Sequence, residues 1–233
     1  KTLGFLELKL NGDAIGKNGE THYIQKGCHM AGQINRGSEL GEYIYSLAKN
    51  TKYLNYVEIG TWNGQGSTQC FKDGFAERDD DWNFYSFESS LYFHELAVSN
   101  LGETDNRFNL IHGRVVDVSN VMTLDFAINN SDSGHRGSYH QWLDNDIKDY
   151  NSCENKIHIL NNVDIDVLLL DGGEFSTIAE FEVLRDRVGI IILDDIIELK
   201  TKKINKILSL DSDWSVLFES QDRNGWSCHE KNN

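Results

Sequence analysis

Three closely spaced glycines follow an apolar run that ends in an acid and an isoleucine: Val57-Glu58-Ile59-Gly60-Thr61-Trp62-Asn63-Gly64-Gln65-Gly66-Ser67-Thr68. Gly60, Gly64 and Gly66 let the backbone turn sharply and approach a ligand closely. Ser67 and Thr68 then open a helix whose first N–H groups point outward. Taken alone, this strand-to-helix turn fits a dinucleotide site, an S-adenosylmethionine site or a bare tight turn. Two further segments carry acids, Leu170-Asp171-Gly172-Gly173-Glu174-Phe175-Ser176-Thr177 and Ile191-Ile192-Leu193-Asp194-Asp195-Ile196. Asp171, Asp194 and Asp195 offer only carboxylate oxygen, a hard donor set that suits Mg²⁺, Mn²⁺ or Ca²⁺ and not zinc. Aspartate also caps helices readily, so one of Asp194 and Asp195 could merely cap the following helix. Three converging carboxylates, however, need a cation or a raised pKa to coexist.

The elements that must position these residues alternate between strand and helix. After the glycines, Asn83 to Glu88 is a second strand with a carboxylate at its carboxyl end, about 20 residues on, where a ribose diol needs an acceptor. Arg107 to Gly113 is a third strand. Ile165 to Asp171 and Val188 to Asp194 are apolar, β-branched runs of the kind buried on both faces of a parallel sheet. Each strand delivers polar chemistry to the same edge. Helices are expected at 66 to 77, 90 to 101, 175 to 187 and 199 to 209, with another opening at Ser38 as its cap and running to Ala48. Trp214 to Glu219 and Gly225 to His229, joined through Asn224-Gly225, read as a terminal hairpin. Residues 1 to 37 form an arm or lid, in which Phe5 to Leu10 is a strand or extended piece. Residues 117 to 162 form an insertion between the third and fourth strands. So long a segment, leaving the ligand edge, reads as a lid or substrate wall. Its Arg136, Tyr139, His140 and Trp142 suit a sugar, and Tyr139 and Trp142 suit equally well a simple anchor to the core.

With these segments in this order, the chain resembles the class I S-adenosylmethionine-dependent methyltransferases, and most of all the macrocin-type sugar O-methyltransferases. The resemblance rests on the glycine segment and the two aspartate segments and covers roughly residues 38 to 230. It implies a single α/β, Rossmann-like domain with a seven-stranded, mostly parallel sheet that ends in an antiparallel hairpin. It implies methyl transfer to a saccharide hydroxyl, with S-adenosylmethionine as cofactor and a divalent cation, Mg²⁺ or Mn²⁺, held by Asp171, Asp194 and Asp195. Gly60, Gly64, Gly66 and Ser67 are the expected cofactor cradle, with Glu88 on the ribose. Glu58 either orients the glycine loop or meets the methionine amine. Arg114 either flanks the adenine or pairs with a nearby acid. Asp171 also stands in the catalytic set. For the proton acceptor the expectation is Glu174, which would serve equally as a helix cap, with His140 and His112 as alternatives. A catechol or small-phenol methyltransferase and a non-catalytic cofactor-binding module are the competing readings.

Composition narrows the partners. The 233 residues carry a net charge of -15, which repels phosphate backbones and anionic lipid and disfavours a nucleic-acid substrate. Cys28, Cys70, Cys153 and Cys228 show neither a Cys-x-x-Cys pair nor a His/Cys cluster, so buried reduced thiols are expected. No apolar run is long enough to span a membrane. A soluble, cytoplasmic protein acting on a small molecule or glycan is the expectation, with no nucleic-acid or membrane partner. A homo-oligomer, and membership of a longer polypeptide with glycosyltransferase domains, stay open.

Overall fold

The computed structural model describes residues 13–15, 21–23, 34–131 and 134–232. The chain divides into two compact units, Lys1–Gln33 and Ile34–Asn233. In the first, β1 (Asp13–Ile15) pairs antiparallel with β2 (Thr21–Tyr23). The expected piece at Phe5 to Leu10, like Cys28, lies outside the described residues.

The second unit opens with Ile34 buried in its core and a turn that delivers Ser38 as the cap of α1 (Glu39–Lys49), its hydroxyl accepting from the Gly41 N–H at 3.1 Å. There follow β3 (Asn55–Ile59), α2 (Ser67–Phe75), β4 (Asn83–Glu88), α3 (Leu91–Leu101) and β5 (Phe108–His112). The insertion contributes α4 (Leu124–Asn130) and α5 (Tyr139–Ser152). The chain closes with β6 (Ile165–Leu170), α6 (Thr177–Leu184), β7 (Val188–Asp194), α7 (Leu199–Leu210), β8 (Trp214–Ser220) and β9 (Trp226–Lys231).

The sheet order is β5-β4-β3-β6-β7-β9-β8, parallel except for β9 and β8. Period-two alternation splits the core into two layers. Tyr56, Val167, Leu169, Ile190 and Ile192 face α1, α2 and α3. Val57, Leu168, Leu170, Ile191 and Leu193 face α6, α7 and the end of the insertion. Strand order reverses between β3 and β6, which makes their carboxyl ends the crevice where ligands bind in open α/β sheets.

The insertion is no loose flap. Tyr139 and Leu143 of α5 pack with Ala127, Phe175 and Leu199, and Tyr150 and Leu160 join the layer under the sheet. The hairpin is present, but its connection runs over five residues, 221 to 225, with Arg223 (φ 58°) and Gly225 (φ 74°) in the left-handed region. Cys70, Cys153 and Cys228 are buried and free, as expected.

Candidate active site

The glycine loop begins where β3 meets the end of β6. Gly60 has φ 103°, and a Cβ there would lie 2.3 Å from the Asp171 carbonyl oxygen; Gly64 has φ 77°, and a Cβ would lie 2.9 Å from Leu101 Cδ1. Both glycines are therefore demanded by the protein's own packing, whatever ligand approaches them. Gly66 differs: the nearest atom to its Cβ position is the Ile34 carbonyl oxygen at 3.6 Å, so the loop is open there.

Glu58 stands next to last in β3. The side chain is fully buried and accepts hydrogen bonds from Ser67 Oγ (2.5 Å), Thr68 Oγ1 (2.7 Å) and Ser86 Oγ (2.5 Å). This ties β3 to β4 and to the first turn of α2. Burial pushes the Glu58 pKa up to about 7, although the three hydroxyls pull the other way. Ser67 is thereby committed to Glu58. Glu88 stands at the carboxyl end of β4, half-buried, accepting from the Trp62 N–H (2.7 Å) and the Ser90 N–H (2.9 Å). It holds Trp62 in its left-handed conformation (φ 47°). Each oxygen uses one acceptor position on these bonds and keeps another. Burial raises its pKa to about 7.

At the carboxyl ends of β6 and β7, Asp171, Asp194 and Asp195 converge, with carboxylate oxygens within 4.8 Å of one another. Two cations of the chain itself meet them. Lys200 Nζ lies 2.6 Å from Asp171 Oδ1 and 2.9 Å from Asp195 Oδ2, while Arg223 Nη2 lies 3.1 Å from Asp194 Oδ2. Burial pushes Asp171 up against the pull of Lys200, and burial with the neighbouring acids takes Asp194 to about 7. For Asp195, burial is outweighed by the Lys200 ammonium and the Asn224 hydrogen bond, and its pKa falls. The scaffold behind the cluster is specific. Asp195 turns the chain with φ 56°. The buried Thr201 hydroxyl donates to the Asp194 carbonyl (2.7 Å) or the Asp195 carbonyl (2.8 Å), and the Ile196 N–H donates to the Gly225 carbonyl (3.1 Å). Neither Asp194 nor Asp195 caps α7, whose cap position is Glu198.

Glu174 follows the Asp171-Gly172-Gly173 turn and accepts from the Tyr139 hydroxyl at 3.4 Å. It does not cap α6, whose cap position is Ser176. Burial raises its pKa. Tyr139 is fully buried, so it anchors the insertion to this turn, assisted by the Met122 N–H bonded to the Phe175 carbonyl at 2.8 Å. Trp142 is half-buried, and Arg136 and His140 are exposed. His140 Nδ1 lies 3.3 Å from Asp144 Oδ2, and His112 Nε2 lies 3.2 Å from the Ser89 carbonyl. The bonds and ion pairs of the acidic trio described above include neither histidine. The Arg114 guanidinium donates to the carbonyls of Tyr150 (2.5 Å) and Cys153 and so closes the end of α5.

At the level of sequence, no family model matches the chain, and no curated protein matches it. Solved structures do. A putative caffeoyl-CoA O-methyltransferase from Staphylococcus aureus has a TM-score of 0.55 at 15% identity, covering 84% of this chain and 84% of its own. A putative O-methyltransferase from Klebsiella pneumoniae has a TM-score of 0.54 at 13% identity, over 84% and 81%. The O-methyltransferase of Streptomyces achromogenes involved in tomaymycin synthesis, solved in complex with SAM, has a TM-score of 0.54 at 14% identity, over 83% and 80%. This chain has the methyltransferase fold. Its glycine loop, β4 carboxylate and paired aspartates occupy the ligand edge of that fold.

Lys200, Thr201 and Arg223 were not singled out from the sequence. One signal was available for Lys200: it stands in the first turn of α7, where the helix dipole disfavours a cation, so acidic partners had to be near. Arg223 reaches Asp194 only because the hairpin that carries it, 29 residues further along, folds back, shown by the Ile196-to-Gly225 and Ile197-to-Asn224 backbone bonds.

Proposed function

We propose that the protein is an S-adenosylmethionine-dependent O-methyltransferase acting on a saccharide hydroxyl. The observation that carries this reading is the convergence at one sheet edge of an open glycine loop, a half-buried Glu88 with acceptor capacity to spare, and an acidic cluster beside Gly60. Such an edge fits the cofactor chemically: Glu88 suits a ribose diol, and the carboxylates favour a sulfonium cation. When bound, the cofactor would supply an electrophilic methyl group, taken by the acceptor oxygen in line as the S–C electron pair stays on sulfur.

The chain's own residues have three tasks. Glu58 fixes the loop and the start of α2. The insertion, docked on the Asp171-to-Ser176 turn through Tyr139, walls the acceptor side and helps to align the hydroxyl. Glu174, its pKa raised by burial, takes the hydroxyl proton as the bond to carbon forms. A divalent cation is the remaining group that the resemblance implies. The trio has the right donor atoms, but Lys200 and Arg223 already supply its counter-charge.

A saccharide is favoured by the half-buried Trp142, which lies against His135 (ring centroids 5.5 Å) in a stretch that also exposes Arg136 and His140. This combines an aromatic face with hydrogen-bonding neighbours. A catechol acceptor is the second reading, favoured by the caffeoyl-CoA name of one structural neighbour. Turnover with labelled S-adenosylmethionine on panels of glycosides and catechols separates the two. Methylated glycoside supports the proposal, whereas turnover confined to catechols overturns the acceptor assignment.

A further inference from the structure

We infer that Lys200 is the resident cation of the carboxylate trio, its ammonium closing to divalent metal the place between Asp171 and Asp195 that the resemblance gives to one. Three observations carry this. The ammonium bridges two of the three carboxylates, at 2.6 and 2.9 Å, while Arg223 binds the third through both terminal nitrogens, at 3.1 and 3.4 Å. Against three carboxylates the chain thus sets two cations, leaving one net negative charge where a bare trio would have three. A divalent ion entering beside Lys200 would leave a net positive centre and place two cations in contact.

The lysine is also built into this position. Only 8% of Lys200 is exposed, its neighbours Leu199 and Thr201 are buried, and the Thr201 hydroxyl donates to the carbonyl of Asp194 or of Asp195. The first turn of α7 is thereby pinned to the same turn that presents the aspartates. Lys200 cannot swing to solvent without that turn coming apart or its carboxylates losing their partner. The Arg223 side is fixed in the same way, because the hairpin loop is bonded to Ile196 and Ile197. A helix start of this kind disfavours an ammonium, and the three acids outweigh that cost. On the methyl-transfer reading, the site would hold its acceptor without a metal, and turnover would survive chelator.

The test is Mn²⁺ titration of the full chain followed by electron paramagnetic resonance, which needs neither cofactor nor acceptor. Wild type is expected to show no site tighter than about 0.1 mM. Lys200→Met, which keeps the alkyl stem and removes the charge, is expected to bind one Mn²⁺ at least about tenfold tighter, an effect lost in Lys200→Met/Asp194→Asn. A wild-type site tighter than that limit and removed by Asp195→Asn would overturn the inference, as would failure of Lys200→Met to tighten binding. If Lys200→Met does not fold in chelator, Lys200→Gln takes its place, and the wild-type titration decides on its own. S-adenosylmethionine titration of the same wild-type sample separates the two proposals, since its failure would remove the methyl-transfer reading and leave the metal result standing.

Discussion

Glu58 and Glu88 both lie at the carboxyl edge of the sheet and both have pKa values near 7 through burial, yet they have different work. Glu58 accepts from three hydroxyls of β4 and α2, so it is a structural node. Glu88 is held by two backbone N–H groups, is only half-buried and has acceptor capacity to spare. Glu88→Ala is therefore expected to keep the fold and lower affinity for S-adenosylmethionine by about tenfold to a hundredfold, the range for losing hydrogen bonds to a charged acceptor. Calorimetry on the folded variant checks this; unchanged affinity would remove Glu88 from the cofactor site. Residue types and spacing could place Glu88 at the carboxyl end of its strand, because an alternating run leads into it. They could not identify Arg114, whose partners are the final carbonyls of α5 and are set by how the insertion returns to the sheet.

The β3-to-α2 turn shows what an element demands of its sequence. Gly60 is required by the Asp171 carbonyl of the neighbouring strand, and no Cβ fits at 2.3 Å with φ 103°. Gly60→Ala is expected to cost about 3 kcal/mol or more in chemical denaturation, by strain and by parting β3 from β6. Gly66→Ala, with 3.6 Å of room, is expected to stay folded and weaken cofactor binding. Equal stability of the two variants would refute this division. The sheet itself was legible, because its central strands are apolar runs and each ends in an acid or a glycine. The insertion was only half legible: its length and aromatics announced a wall, but the packing of Tyr139 on Phe175 depends on contacts made across 36 residues of chain. The acidic trio was legible as carboxylates. Its counter-ions were not, since Arg223 arrives from the far side of the hairpin and Lys200 through a helix start pinned by Thr201.

At the scale of the whole molecule, acids dominate the balance of charge and the pH response. Glu58, Glu88, Asp146 and Glu180 are each pushed by burial to about 7, from ordinary values of 4.5 for the glutamates and 3.8 for the aspartate. A carboxylate whose folded pKa exceeds its unfolded value binds its proton more tightly when folded. Its contribution is complete below about pH 4 and is lost as pH rises through about 7. Asp105, lowered to about 2 chiefly by Arg107, acts in the opposite sense and only at lower pH: its contribution is present above about 4 and lost as pH falls through 2. The melting temperature is therefore expected to rise as pH falls from about 8 to 5, by calorimetric scan, with Glu58→Gln flattening the profile. Relief of the net charge of -15 acts in the same direction but is screened by salt, so a profile that disappears in high salt would contradict the assignment to buried acids. Whether this acidic edge holds S-adenosylmethionine is decided by calorimetric titration of that cofactor into the full chain. Saturable one-to-one binding, the same with and without chelator, is the result expected. Absence of binding in every condition would mean that the glycine loop serves only the packing of β3 against β6 and that the methyltransferase fold here carries some other function.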